Sequence, residues 1–195
     1  MESILKLTSK DANVVILFDE NQDIFERQFQ IPEHDSFIKL QLKYNFRNTL
    51  AISDYVTDKT NIPISSKETP EGLPVDTVSF SNVEELTKQL EFTIQRLVTI
   101  EKISCSDITI LVDGHLNEHP LNQVEKIASY PLVPWHNDGE REGKALHFTS
   151  INRFKGLESP IVLLILNGGI EDVNTKMFYT QCTRAKSMLK VFCKN

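Results

Sequence analysis

Short apolar runs rich in β-branched residues recur along the chain and predict β-strands. They lie at residues 14–18, 37–42, 75–80, 108–112, 145–151, 160–166 and 188–192. Several of these runs have no polar face, which is typical of strands that are covered on both sides of a parallel sheet.

Helical patterns separate these runs. The clearest lies at 82–102, where apolar residues repeat at intervals of three and four, and Ser81 and Glu84 match the capping box that opens many helices. Shorter helices are predicted at 48–58, 120–129 and 174–187, and long loops at 58–74 and 131–144. Strands that alternate with helices predict an α/β fold, in which a mainly parallel sheet lies between two layers of helices.

Length and composition narrow the class of protein. A chain of 195 residues can bury one sizeable core, and 40% hydrophobic residues argue against a disordered chain. The longest apolar run, 161–166, is far shorter than the roughly 20 residues of a membrane span, and no signal segment follows Met1. Three cysteines without metal-ligand spacing are typical of reduced thiols. We therefore expect a soluble, cytoplasmic protein without a metal site.

Charge is distributed unevenly along the sequence. Residues 144–195 carry eight Lys or Arg and three Asp or Glu, a net charge of +5, whereas the rest of the chain carries −11. A basic C-terminal quarter on an acidic body favours a partner that bears phosphate groups, and ordinary variation of surface charge explains the asymmetry equally well.

Four polar clusters stand where a predicted strand meets a loop or a helix. They are residues 14–25 with Asp19 and Glu20, 42–49 with Arg47, 150–160 with Gly156, and 178–186 with Arg184. In the first cluster, polar residues follow an apolar strand and are therefore expected at the carboxyl edge of the sheet, where open α/β folds bind ligands. Each cluster also has an ordinary explanation: a surface salt bridge for Arg47, a tight turn for Gly156 and a solvated helix charge for Arg184.

Some enzyme classes are disfavoured by what the sequence lacks. The phosphate loop GxxxxGK[ST] of many nucleotide-binding enzymes does not occur, the five histidines have no metal-ligand spacing, and no hydrolase triad is legible. The chain alone is therefore not expected to hydrolyse a nucleoside triphosphate.

Taken in order, the clusters resemble motifs III, IV, V and VI of superfamily 1 helicases, and the UvrD-like enzymes most closely. The matching segments are Phe18-Asp19-Glu20-Asn21-Gln22-Asp23-Ile24-Phe25, Tyr44-Asn45-Phe46-Arg47-Asn48, Phe154-Lys155-Gly156-Leu157-Glu158 and Tyr179-Thr180-Gln181-Cys182-Thr183-Arg184-Ala185. The resemblance implies a three-layer α/β/α RecA-like domain of the P-loop NTPase superfamily, without its own P-loop. Residues 1–30 would be the tail of a first RecA-like domain, and residues 31–195 would be the second.

The resemblance also implies a nucleotide site. In this family ATP and Mg²⁺ bind between two RecA-like domains, whose alternating closure moves single-stranded nucleic acid. Gln22 would sense the γ-phosphate, and Arg47 and Arg184 would reach it, with Arg184 as the arginine finger. Glu158 would contact the nucleotide sugar, and Gly156 would let the backbone approach.

A nucleic-acid surface is implied in the same way. Phe25 would stack on a base, and Ser150 and Asn152 stand near family positions that face the nucleic acid. Trp135, in the predicted loop 131–144, is a further candidate for base stacking, with ordinary packing as its alternative.

The sequence therefore predicts the C-terminal motor domain of an ATP-dependent DNA or RNA helicase or translocase of superfamily 1. Alone it is expected to be inactive, because Walker A and Walker B would lie on the missing upstream domain. The alternatives are a stand-alone degenerate helicase half that binds nucleic acid or protein, and an unrelated flavodoxin-like domain.

Overall fold

A single sheet organises the protein. The computed structural model describes residues 12–17, 19–22, 38, 40–136 and 143–195. Its strands are β1 (Asp76–Phe80), β2 (Ile108–Val112), β3 (Lys126–Ile127), β4 (Tyr130–Pro134), β5 (Leu146–Ser150), β6 (Ser159–Leu166) and β7 (Ala185–Lys194). They lie in the order β1-β7-β6-β2-β5-β4-β3, and neighbouring strands are parallel except for the antiparallel pair β3 and β4.

Helices connect the strands. They are α1 (Leu50–Thr60), α2 (Val83–Ile94), the single turn α3 (Ile151–Phe154) and α4 (Thr175–Cys182). A π-helical segment, Gln95–Ile100, continues α2. Short 3-10 turns lie at Glu20–Gln22, Cys105–Asp107, Leu116–Glu118, Pro120–Gln123 and Ile170–Asp172.

The strands bury both of their faces. In β2 and β6, Ile110 and Leu163 point into a core beneath α2, whereas Leu111 and Leu164 point into a second core on the opposite face. The second core also contains apolar side chains of α1, α3 and α4. Alternation of side chains along a strand explains how one apolar run supplies two cores. The predicted three-layer arrangement around a mainly parallel sheet is confirmed.

The start of α2 differs by one residue from the predicted capping box. Asn82, rather than Ser81, is the N-cap, and its side-chain oxygen accepts a hydrogen bond of 2.9 Å from the Glu85 N–H. The Glu85 carboxylate accepts the Ser81 N–H at 2.8 Å. Glu85 thus bonds to the residue before the N-cap rather than to the N-cap N–H, so the predicted capping box of Ser81 and Glu84 is replaced by a related pair of bonds around Asn82 and Glu85.

The helix predicted at 120–129 is wrong. The chain forms only the 3-10 turn Pro120–Gln123 and then the β3–β4 hairpin, which also replaces the first part of the loop predicted at 131–144. Apolar residues at 121, 124 and 127 imitate a helical period, but Ala128 and Ser129 have φ of 50° and 72°, which reverse the chain.

Two other boundaries are corrected. The helix predicted at 174–187 ends at Cys182, because β7 begins at Ala185 and pairs with β6. The strands predicted at 14–18 and 37–42 are not formed in their described residues, where Val15, Leu17, Ile38, Leu40 and Leu42 are exposed. An apolar run becomes a strand only where a neighbouring strand can pair with it.

Candidate functional site

Three of the four predicted clusters meet at the amino edge of the sheet. Glu158 immediately precedes β6, Arg184 immediately precedes β7, and Arg47 lies three residues before α1. These three residues therefore lie at the edge opposite to the carboxyl edge, which was predicted for the first cluster alone. The last residues of clusters 150–160 and 178–186 lead into strands rather than follow them, which places them at the opposite edge.

Asn48 attaches the first of these segments to the last. It is buried, and its side-chain nitrogen donates to the backbone carbonyls of Thr183 and Ala185 at 3.2 and 2.5 Å. The Thr49 N–H donates to the Lys186 carbonyl at 3.1 Å. Sequence reasoning did not single out Asn48, whose only signal is its place between Arg47 and a helix.

An open groove of about 520 Å³ lies over this junction. Its lining residues are Tyr44, Asn45, Phe46, Arg47, Glu158 and Lys186. Arg47 Nε lies 3.0 Å from Glu158 Oε2, and Lys186 Nζ forms an ion pair with the other oxygen of the same carboxylate. The salt bridge considered as the ordinary explanation of Arg47 is therefore present, and Lys186 is a cation of the groove that the sequence analysis missed.

Two aromatic rings border the cations. Tyr44 and Phe46 are both exposed and meet edge to face, with ring centroids 6.3 Å apart. Lys67 Nζ lies 5.6 Å from the centre of the Tyr44 ring. Exposed rings beside cations suit a ligand that has a flat apolar part and an anionic part.

Arg184 is not a solvated helix charge. It lies beyond the end of α4 and is only 2% exposed. Its Nε donates to the Thr180 carbonyl at 3.0 Å and its Nη1 to the Leu157 carbonyl at 3.2 Å. The guanidinium thus joins the segment before β6 to the end of α4.

The surroundings of Arg184 are electrostatically coupled. Burial lowers the pKa of Arg184, and the positive charge of Arg47 lowers it further, whereas Tyr179, Asp19 and Glu158 oppose the shift. Burial raises the pKa of Tyr179, and Asp19 adds to that rise. Arg47, Asp19 and Glu158 are therefore close enough to Arg184 to influence its charge.

The described part of the first cluster lies nearby. The turn Glu20–Gln22 contacts α4, and Gln22 Nε2 donates to Asp19 Oδ2 at 2.7 Å. Gln22 is thus on the same side of the sheet as Arg184. Phe25 lies outside the described residues.

The predicted nucleic-acid residues lie elsewhere, at the carboxyl edge. Ser150 and Asn152 line a small pocket of about 210 Å³ with Arg153 and the loop that follows β2. Ser150 is 4% exposed, whereas Asn152 is exposed. Arg153 Nη1 lies 2.5 Å from His136 Nδ1.

Trp135 and Gly156 have ordinary structural roles. Trp135 is half-buried and packs edge to face on Phe154, with ring centroids 6.0 Å apart. Gly156 has φ of +84°, and a Cβ there would meet no atom within 4 Å. A turn that favours glycine is therefore confirmed at Gly156. Base stacking by Trp135, and the close approach of the Gly156 backbone to a nucleotide that the resemblance implies, stay predictions.

Metal-binding clusters and membrane-spanning helices are absent from the part of the chain that the structure describes. No group of three or more His, Cys, Asp or Glu side chains among these residues is arranged to hold a metal ion. No helix in the described ranges is long and apolar enough to cross a membrane.

Comparisons with known proteins bear on the fold. No protein-family model and no curated protein sequence matches the chain. Among solved structures, the chain is similar to the C-terminal domain of a possible DNA helicase from Lactobacillus plantarum WCFS1, with 18% identity and a TM-score of 0.59. That match covers 76% of this chain and 86% of that domain.

Two viral helicases are more distant. Arterivirus nonstructural protein 10 matches at 14% identity and a TM-score of 0.34 over 77% of this chain, and the PRRSV helicase at 16% and 0.36 over 79%. The chain spans 25% and 23% of their lengths. The bacterial domain supports the predicted fold class, a three-layer α/β/α RecA-like domain with a mainly parallel sheet.

Proposed function

We propose that the chain is the C-terminal RecA-like motor domain of a superfamily 1, UvrD-like helicase or translocase that is driven by ATP. The observation that carries this proposal is the convergence of Arg47, Glu158 and Arg184 at one edge of the sheet. These residues come from three segments far apart in the sequence, and Asn48 and Arg184 bind the segments together through backbone carbonyls.

The groove offers the chemistry that phosphoryl transfer needs. Negative charge on the transferred phosphoryl group is stabilised by positioned cations, and an arginine finger accelerates related reactions by about 10³–10⁵. Arg47 is half-exposed and suits a direct phosphate contact. Arg184 is held in one orientation by carbonyls, which suits a finger that has to be placed accurately.

The other half of the site belongs to an upstream domain in this proposal. The sequence has no phosphate loop, and the described residues contain no group of three or more His, Cys, Asp or Glu side chains arranged to hold a metal ion. The upstream domain would therefore bind Mg²⁺ and most of ATP. Residues 1–30 would be its tail, and residues 31–195 would form the second domain.

Single-stranded nucleic acid would lie across the carboxyl edge. Asn152 is exposed there, and Arg153 and His136 add polar groups beside it. The excess of basic residues in 144–195 favours a phosphate backbone as the partner.

The decisive experiment measures ATP hydrolysis by the complete polypeptide, or by this chain mixed with its upstream domain. We expect Arg47→Ala and Arg184→Lys each to reduce kcat by about 10³ or more. Arg184→Lys retains the positive charge, so that a loss of activity is less easily attributed to unfolding. Arg96→Ala is the matched control, since Arg96 is an exposed arginine in a surface pair with Glu101, outside the groove. Full activity of both groove variants would contradict the proposal.

A stand-alone binding module is the second candidate, favoured by the basic C-terminal quarter. In that case this chain alone binds a single-stranded oligonucleotide, and the affinity falls steeply as salt rises. Absence of binding at low salt removes this candidate.

A further inference from the structure

One carboxylate in the groove serves two cations. Glu158 binds Arg47 through one oxygen and Lys186 through the other. The side chains of Arg47, Glu158 and Lys186 are 43%, 36% and 44% exposed, so all three face the open groove rather than the core.

The three charges come from separate elements of the fold. Arg47 precedes α1, Lys186 lies on β7, and Glu158 ends the turn that contains Gly156. Arg47 and Lys186 are held by different elements of the fold, and the Glu158 carboxylate lies between them. It therefore occupies the position that an incoming anion with two oxygens would need.

Charge in the groove depends on this carboxylate. Without Glu158, the lining of the groove would present the unpaired cations Arg47 and Lys186 to solvent, near the buried Arg184. Burial lowers the pKa of Arg184, the charge of Arg47 lowers it further, and Glu158 opposes the shift. An anion that replaces Glu158 would therefore meet a strongly positive site.

We propose that the Glu158 carboxylate competes with phosphate for Arg47 and Lys186, and that Lys186 binds phosphate alongside Arg47. A polyphosphate binds by displacing the carboxylate from both cations. This inference rests on the proposed function, because it concerns the same nucleotide site, and it adds Lys186 and a competing carboxylate to that site.

The experiment measures binding of inorganic tripolyphosphate to the full chain by isothermal titration calorimetry at low salt. An exposed ion pair is worth a factor of about 1.5 to 5, so release of two pairs in Glu158→Gln is expected to raise the affinity about three- to tenfold. Lys186→Ala is expected to lower it about threefold or more. Glu158→Asp retains the charge on a shorter side chain that cannot serve both cations as well, and an intermediate increase is expected.

Matched controls separate this effect from a change of net charge. Glu101→Gln removes a carboxylate of similar exposure from a surface pair with Arg96, and Lys59→Ala removes a lysine of similar exposure near Asp58. Both are expected to leave the tripolyphosphate affinity unchanged within twofold. Thermal unfolding of each variant verifies that the chain is folded.

The outcomes are distinct from those of the ATPase experiment. The inference is overturned if Glu158→Gln binds no tighter than the wild type, if Glu101→Gln gains as much, or if Lys186→Ala binds equally well. Undetectable binding by both the wild type and Glu158→Gln also overturns it. If Glu158→Gln and Lys186→Ala behave as expected while Arg47→Ala and Arg184→Lys both leave ATP hydrolysis intact, the phosphate site stands and the motor role proposed for the two arginines fails.

Discussion

Replacing Asn48 by alanine removes the side chain that joins the segment before α1 to the start of β7. Asn48 is 2% exposed, and the two carbonyls to which it donates belong to Thr183 and Ala185, which are also buried. Its side-chain oxygen accepts a third hydrogen bond, of 2.7 Å, from Asn45. No other side chain in the described structure is hydrogen-bonded to both of these carbonyls.

The expected loss of stability follows from these contacts. Each hydrogen bond contributes about 1 kcal/mol net, and a buried acceptor that loses its partner costs about 1–3 kcal/mol. We therefore expect Asn48→Ala to lower the free energy of unfolding by about 2–4 kcal/mol. Such a loss is a large part of the roughly 5–15 kcal/mol that stabilises a typical domain.

Urea unfolding measures this loss. Trp135 is the only tryptophan, and its packing on Phe154 makes its fluorescence a probe of the core next to α3. The midpoint is expected to fall while the m-value is unchanged. Asn122→Ala is the comparison variant, because Asn122 also donates to two carbonyls but is exposed and bonds within a single loop, so that its loss is expected to be smaller. A loss below about 1 kcal/mol, or one no larger than that of the comparison variant, would refute the reasoning.

Three further predictions concern stability. Burial lowers the pKa of His119 to about 4. An unfolded histidine titrates near 6.5, so the unfolded chain binds a proton at this residue first as the pH falls. The stability contributed by His119 should therefore be full above pH 6.5 and fall by roughly 3 kcal/mol towards pH 4. Urea titrations of His119→Gln across this range should lose that slope, and an unchanged slope would contradict the assignment. Asn82→Ala should lower the free energy of unfolding by about 1 kcal/mol, and Ser81→Ala should hardly change it, because Asn82 is the N-cap of α2. Equal losses in the two variants would contradict this assignment and support the N-cap predicted at Ser81. Gly156→Ala should cost about 1 kcal/mol of stability, because Gly156 has a positive φ. Gly72→Ala should cost roughly 2–4 kcal/mol, because Gly72 also has a positive φ and a Cβ there would lie 2.4 Å from the Thr49 side chain. The midpoint of thermal unfolding should therefore fall further for Gly72→Ala, and the opposite order would contradict this packing.

The central strands β2 and β6 were predictable because short segments of such apolar composition are compatible with few structures other than a buried strand. The runs that form β2 and β6 are apolar throughout, and both of their faces are buried in the structure. Runs of this kind are too short for a membrane span and too apolar for a surface helix. The hairpin of β3 and β4 escaped prediction because its turn uses Ala128 and Ser129 at positive φ, residues that rarely indicate such a turn.

The candidate site was predictable only in part. Motif resemblance identified Arg47, Glu158 and Arg184, and the structure brings them to one edge. Helical periodicity placed Arg184 in solvent, because it assumed that α4 continues through that position. The end of a helix depends on tertiary pairing, here of β7 with β6, which no local pattern reveals.

A single helix connects the two candidate sites. Near the end of α4, the buried Gln181 donates from Nε2 to Asp113 Oδ1 at 3.2 Å, and Asp113 adjoins the loop of the carboxyl-edge pocket. Three residues later, Arg184 binds the Leu157 carbonyl beside Glu158 in the groove. Because the core around this helix is closely packed and resists compression, a displacement of the end of α4 would act on both contacts at once. The end of α4 and the two residues that follow it therefore link the groove of Arg47 to the surface proposed for nucleic acid through two hydrogen bonds.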